Sequence, residues 1–197
     1  MIIVGAGALG LETLAILINN GFQGEIVFFD DDKQKSGLLY NYRIINSEDD
    51  LKRYLTIDNK FIVSIGHPRM RGMKYNRMLE LGAIPVNVVS KYAFIFPMLE
   101  PFEGCIIEPS AGISHGVKLG KGCAIHINST VGHQVVLGDF VNIGPGANVV
   151  GPCKIGHYSY ISVGAIIHPG VVIGNYTFIG SNVVVTRDVA DYETFLG

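Results

Sequence analysis

The chain has no tryptophan, only three cysteines among 197 residues, and no run of Lys and Arg. Each shortage excludes something. Charged residues make up 16% of the sequence, and fifteen basic against seventeen acidic side chains leave a formal net charge of -2 at pH 7. With no basic stripe to follow a phosphate backbone, nucleic acid is not an expected partner. No apolar run approaches the roughly eighteen residues of a membrane span. Met1 leads into a strand pattern, Ile2-Ile3-Val4, and not into a charged and then apolar signal segment, so a cytoplasmic protein without a membrane span is expected. Cys105, Cys123 and Cys153 are odd in number and share one small position of a six-residue repeat, which reads as buried packing and not as a disulfide or metal set.

What is present is that repeat. From Ile107 to Val185 every sixth residue is Ile, Leu or Val, fourteen times without a failure, and two residues before each stands a small or β-branched side chain. A helix returns its apolar positions every three or four residues and a strand every two, so a strict six points to a hexapeptide parallel β-helix. Three hexapeptides then close one triangular coil, residues eighteen apart stack, and the aliphatic column points into the prism. Gly often follows the column, as at Gly120, Gly138 and Gly156, and is expected there to supply turn angles.

Ahead of the repeat lies a different pattern. The strand Ile2-Ile3-Val4 is followed by Gly5-Ala6-Gly7-Ala8-Leu9-Gly10 and a helical stretch, a literal G-x-G-x-x-G between strand and helix. A second strand, Glu25 to Phe29, ends in Asp30-Asp31-Asp32. A short helix over Ser47 to Tyr54, a strand over Phe61 to Ile65, a helix over Arg69 to Leu81 and a strand over Ile84 to Val89 complete about ninety residues, half of a doubly wound dinucleotide fold. A nucleotide other than NAD is therefore expected, at the carboxyl ends of the strands, with Gly5, Gly7, Asp30, Asp31 and Gly66 around one crevice. The expected organisation is a Rossmann-like α/β domain over 1–89, a linker over 90–104 and a β-helix over 105–197.

A solenoid does no chemistry without side chains that leave its template. His115 and His133 occupy equivalent places eighteen apart, while His126 and His168 share another place, directly after the column. No two histidines are closer than His126 and His133, seven apart at differing template positions, so no metal is expected.

The run Ile127-Asn128-Ser129-Thr130-Val131-Gly132-His133-Gln134-Val135-Val136-Leu137-Gly138-Asp139-Phe140 resembles the motif of the bacterial nucleotide-sugar acetyltransferases. That group includes NeuD-like sialic acid O-acetyltransferases and PglD- and PerB-like amino-sugar N-acetyltransferases. The resemblance runs through nearly the whole chain: a Gly-rich loop, an Asp-Asp after the second strand, an Ile-Gly loop after the third, and then the repeat. It implies a left-handed coil, acetyl-CoA as co-substrate without a metal, and a homotrimer. It implies His133 as the general base that takes a proton from the sugar amine or hydroxyl, with Gln134 where relatives carry an acidic residue to orient the ring. Asn142 stands where a second histidine often reaches the acetyl carbonyl, Val163 and Ser181 match backbone contacts to the pantetheine arm, and Ala8-Leu9 replaces a common Gly-His. The resemblance leaves amine and hydroxyl acceptors open, and sialic acid or polysaccharide O-acetylation is the nearest alternative. Because Leu9, Gln134 and Asn142 depart from the pattern, a non-catalytic trimeric nucleotide sensor or scaffold is the alternative of another class.

Overall fold

The computed structural model describes residues 1–197. Its first part is an open sheet whose centre is fixed by apolar runs with no polar side to face water. Strand β1 (Ile2–Val4) is wholly buried and pairs in parallel with β2 (Val27–Phe29) on one side and, across the sheet, with the strand over Lys60–Val63. Helix α1 (Ala8–Asn19) covers one face. After β2 the chain makes an antiparallel pair, β3 (Gly37–Leu39) and β4 (Tyr42–Ile45), then helix α2 (Glu48–Leu55), which Ser47 caps by accepting from the Asp50 N–H at 3.2 Å. Strand β5 (Lys60–Val63), helix α3 (Pro68–Glu80) and β6 (Ile84–Pro85) finish the layer, giving the order β3-β4-β2-β1-β5-β6. The hairpin of β3 and β4 is absent from the sequence reading, because both strands are short and mostly open to solvent.

The second part is a triangular parallel β-helix. Its two-residue strands pair with the strand eighteen residues on, Ile107 with Ile125, Ile113 with Val131, and Leu119 with Leu137. The aliphatic column and the small column together form one buried cluster that runs the length of the prism. Each aliphatic side chain so buried is worth roughly 1.5–3 kcal/mol against exposure. The three cysteines lie in this core as free thiols.

The glycines after the column have a different cause from the one expected. They hold the approach of successive coils: a Cβ on Gly120 would collide with the Gly138 carbonyl carbon, and one on Gly138 would meet the His157 nitrogen at 2.7 Å. The left-handed backbone angle falls instead on the third residue after the column, where Gln134 has φ 57° and Tyr158 φ 58°.

The helix also begins earlier than expected. Strands β7 (Val88–Val89) and β8 (Phe94–Ile95) pair with Ile106–Ile107 and Gly112–Ile113, so part of the expected linker over 90–104 is the first coil. Val89 and Ile95 continue the six-residue count backwards, and Pro101 interrupts it. The two parts share core: Phe140 of the prism packs among Phe61, Tyr75 and Met78 of the first part.

Arg71 of α3 fastens them. It is wholly buried, and its guanidinium donates to the Gly122 carbonyl at 2.8 Å, the Ile65 carbonyl at 2.7 Å and the Phe140 carbonyl at 3.1 Å. Burial lowers its pKa to about 10, which leaves it charged at neutral pH with carbonyl dipoles in place of a counter-ion.

Candidate functional site

At the carboxyl ends of β1, β2 and β5 lies a cavity of about 500 Å³, lined by Gly5, Gly7, Asp30, Asp31 and Gly66 as expected, and also by Glu12, Lys35 and Lys74. Its shape follows from the loop after β1. A Cβ on Gly5 would lie 2.7 Å from the Ser64 carbonyl, and Gly5 has φ 108°, so no other residue lets the loop pass β5 this closely. Gly10 has the same role within the loop, since its Cβ would collide with the Gly5 carbonyl.

Helix α1 enters the cavity with Gly7 as its N-cap and no side chain capping it, and no acidic residue stands in its first turn. An uncapped helix start presents N–H donors and the positive end of the dipole, a seat for an anion. Asp30 is more committed than the sequence showed. Its Oδ2 accepts from the Ala6 N–H at 2.9 Å and from Lys35 Nζ at 2.8 Å, while Oδ1 accepts from the Asp32 N–H at 3.1 Å. Burial works against its ionisation, but these donors outweigh burial and hold the carboxyl below its ordinary range. Asp30 thus pins the glycine loop, and Asp31, largely exposed and paired with Lys74, is the carboxylate left nearer the opening.

On the prism, three edges separate three faces, the first carrying Ile107 and Ile125, the second Ile113 and Val131, and the third Leu119 and Leu137. His133 lies on the edge between the second and third faces. It is exposed, stacks on His115 with ring centroids 5.6 Å apart and planes 10° from parallel, and Phe96 stands beyond His115. No hydrogen bond joins it to Gln134. The left-handed angle at Gln134 sets that side chain over Gly116, where it lines a groove with Pro152 and Lys154. Within one chain, therefore, nothing orients the His133 ring except the stack.

Asn142 lies elsewhere. It is on the first face, wholly buried under α3, with Oδ1 3.5 Å from Arg71 and 3.2 Å from Nε2 of His126. Val163 and Ser181 stand on the edge between the first and second faces; Val163 is exposed and Ser181 Oγ is 2.9 Å from Ser162 Oγ. The structure therefore brings the five crevice residues together, puts two of the three expected cofactor positions, Val163 and Ser181, on one prism edge with the third, Asn142, buried on the first face, and leaves His133 on the next edge.

The edge that carries Val163 and Ser181 also carries a group the sequence reading passed over. His126, nearly buried, has Nδ1 2.9 Å from Oε1 of Glu108, and Oε2 of Glu108 accepts from the Ile127 N–H at 2.7 Å. Glu12 reaches in from α1, so that one donor atom each of Glu12, Glu108 and His126 lies within 4.8 Å of the others. Burial, with the Glu108 carboxylate beside it, raises the Glu12 pKa above the ordinary range. These three are the set with metal-ligating side chains, but both nitrogens of His126 and both oxygens of Glu108 are already occupied by protein partners. The signal for Glu108 and His126 was present in the sequence: they stand eighteen apart, each directly after the column, where glycine is otherwise frequent. Nothing in the sequence pointed to Glu12.

Residues 1–78 match the PglD N-terminal domain family, and residues 152–187 match the bacterial transferase hexapeptide family. No curated protein matches in sequence. Among solved structures, a mutant of perosamine N-acetyltransferase from Caulobacter crescentus, in complex with CoA and GDP-perosamine, superposes with TM-score 0.93 at 23% identity, over 100% of this chain and 92% of that one. The acetyltransferase domain of PglB from Neisseria gonorrhoeae, in complex with acetyl coenzyme A, gives TM-score 0.89 at 25% identity, over 98% and 93%. WeeI from Acinetobacter baumannii gives 0.75 at 24%, over 100% and 95%. The Rossmann-like domain followed by a left-handed β-helix is the architecture they share with this chain.

Proposed function

We propose, from a PglD N-terminal domain joined to transferase hexapeptide repeats, that this chain transfers the acetyl group of acetyl-CoA to the amine or hydroxyl of a nucleotide-linked sugar in surface-glycan assembly. The observation that carries the reading is the crevice. An uncapped helix start and two lysines, Lys35 and Lys74, converge there with two aspartates, a setting for a diphosphate with a sugar on one side of it. The nucleotide part lies against Gly5, Gly7, Asp30, Asp31 and Gly66. The inner end of the crevice, past Glu12, leads towards the prism, which is where an acceptor sugar has to go to meet a thioester.

His133 is the base in this reading. Its imidazole suits proton transfer near neutral pH, and attack is direct, without a covalent enzyme intermediate. Because the stack with His115 leaves the ring open, the wall that completes this site comes from a second copy. Exposed apolar residues on the second and third faces, Ile166, Val184, Val136 and Val172, fit contact with neighbouring prisms. A closed ring of three places His133 of one copy beside Val163 and Ser181 of the next. Asn142, buried under α3, contributes through His126 and not by direct contact with the thioester. Action in the cytoplasm follows from the co-substrates.

The test is thiol release from acetyl-CoA with a panel of GDP-, UDP- and dTDP-linked sugars, read together with the mass of the product. An acetylated sugar with wild type and a loss with His133→Ala support the reading. Turnover by His133→Ala equal to wild type removes that residue from the chemistry, and no acetylated product from any acceptor favours the non-catalytic alternative.

A further inference from the structure

The ring of His133 belongs to a column of rings. His115 holds the equivalent place one coil earlier, and the two backbones are bonded on either side of the pair. The Ser114 N–H donates to the Val131 carbonyl at 3.0 Å, and the Gln134 N–H donates to the His115 carbonyl at 3.0 Å. The two imidazoles therefore start from fixed points and lie nearly parallel, with centroids 5.6 Å apart, within the range of a favourable aromatic pair. Phe96, half-buried on the coil before, meets the ring of His115 edge-on, with centroids 5.9 Å apart and planes at 64°. One coil after His133 the equivalent place is Gly151, which offers no side chain. His133 is thus backed on one side and bare on the other.

The ring nitrogens that find partners in this chain belong to His67, His126 and His157. Those of His115 and His133 find none, and Gln134, next in sequence, turns away over Gly116. Parallel imidazoles direct their N–H bonds along their planes and not at one another, so no proton passes directly between them. What His115 can give His133 is its plane. The lone pair that accepts a proton lies in that plane, so a base is only as well aimed as its ring. Turning His133 about Cβ–Cγ would give up the stack and carry the lone pair out of line.

Resting on the function proposed above, with His133 as base, we propose that His115 and Phe96 are positioning residues that act in series. His115 sets the plane of His133, and Phe96 holds His115. The stretch over 90–104, expected from sequence to be a linker, thereby reaches the chemistry through two rings.

The experiment measures steady-state acetyl transfer by the full-length protein, with acetyl-CoA and whichever GDP-, UDP- or dTDP-linked sugar wild type acetylates fastest. It is joined to NMR of the histidine-labelled protein without ligands. His115→Ala is expected to lower kcat about tenfold while KM for both substrates stays within about twofold, because the aim of the ring is lost and the substrate contacts are not. His115→Phe restores a flat ring without any nitrogen and should return kcat to within about twofold of wild type. Phe96→Ala should cost about threefold, and should add nothing further in the double variant with His115→Ala, since it acts through that ring. In the NMR spectra the carbon-bound ring protons of His133 should move downfield in His115→Ala, where the neighbouring ring current is gone, and stay upfield in His115→Phe. Unchanged kcat or unmoved His133 resonances in His115→Ala overturns the assignment. So does failure of His115→Phe to restore turnover, or full additivity with Phe96→Ala. In each of these cases continued acetyl transfer by wild type leaves the proposed function standing. If wild type acetylates none of the sugars, or His133→Ala turns over as fast as wild type, the function or its base is wrong and the positioning role fails with it.

Discussion

Two neighbouring edges of the prism each carry a histidine, and they are built in opposite ways. His126 is nearly buried, held at one nitrogen by Glu108 and at the other by Asn142, beside the crevice and on the same edge as Val163 and Ser181. His133 is exposed, with one ring stacked behind it and no hydrogen bond. A side chain held by its own fold is part of that fold's energetics as well as of its chemistry. One that stands open is nearly independent of stability and waits for whatever closes over it. The chain alone therefore fixes the first ring and leaves the second free.

The largest test of this contrast is His133→Ala. Acetyl transfer should fall by about 10²- to 10⁴-fold in kcat, while denaturant midpoints move by no more than about 0.5 kcal/mol equivalent, as for an exposed side chain. Next comes Arg71→Met, which strips the donors from the Gly122, Ile65 and Phe140 carbonyls and frees Asn142. Loss of about 3 kcal/mol is expected in urea unfolding, from buried acceptors left unpaired, and the His126 edge should loosen in amide exchange before the His133 edge does. Asp30→Asn should cost about 1 kcal/mol at neutral pH, for lost charge-assisted bonds to Ala6 and Lys35. Its pH dependence has a sign. A carboxyl held below its unfolded value stabilises the fold above that value, near 4, and the contribution disappears as pH falls through the folded pKa. Wild type should thus lose stability in acid more steeply than the variant. The smallest effect is the reverse in direction. Glu12 is held above its unfolded value, so its ionisation destabilises the fold as pH rises through that range. Glu12→Gln should therefore raise the midpoint at neutral pH slightly, by about 0.5 kcal/mol or less given its exposure.

Most of the architecture was legible because it is periodic. A column that returns every sixth residue has one solution, and the buried cluster from Cys105 to Val189 is that solution. The glycine loop and Asp30-Asp31 were legible as a crevice because strand, turn and helix follow in a fixed order. What escaped had no period or too short a one. Val89 and Ile95 extend the column backwards, but Pro101 breaks the count between them and Ile107. Glu12 joins Glu108 and His126 from a different domain, and no spacing along the chain records a contact between α1 and the prism. Asp30 reads in sequence as a group for a ligand, whereas its lone pairs hold its own loop, a fact that depends on where Lys35 folds back. The likeness of Gln134 to an orienting residue rests on adjacency in sequence, and the left-handed corner turns adjacency into divergence.

The glycines that let one coil close on the next also divide the surface into addresses. On the third edge Gly120, Gly138, Gly156 and Gly174 follow one another coil after coil, with backbone contacts that admit no side chain. On the first edge the same template position reads Glu108, His126, Gly144, Ser162 and Gly180. At Glu108, His126 and Ser162 this position carries polar side chains above an unbroken column. The prism thus has one edge closed by its own pitch and another that carries side chains, and that second edge is the one that meets Glu12 beside the crevice.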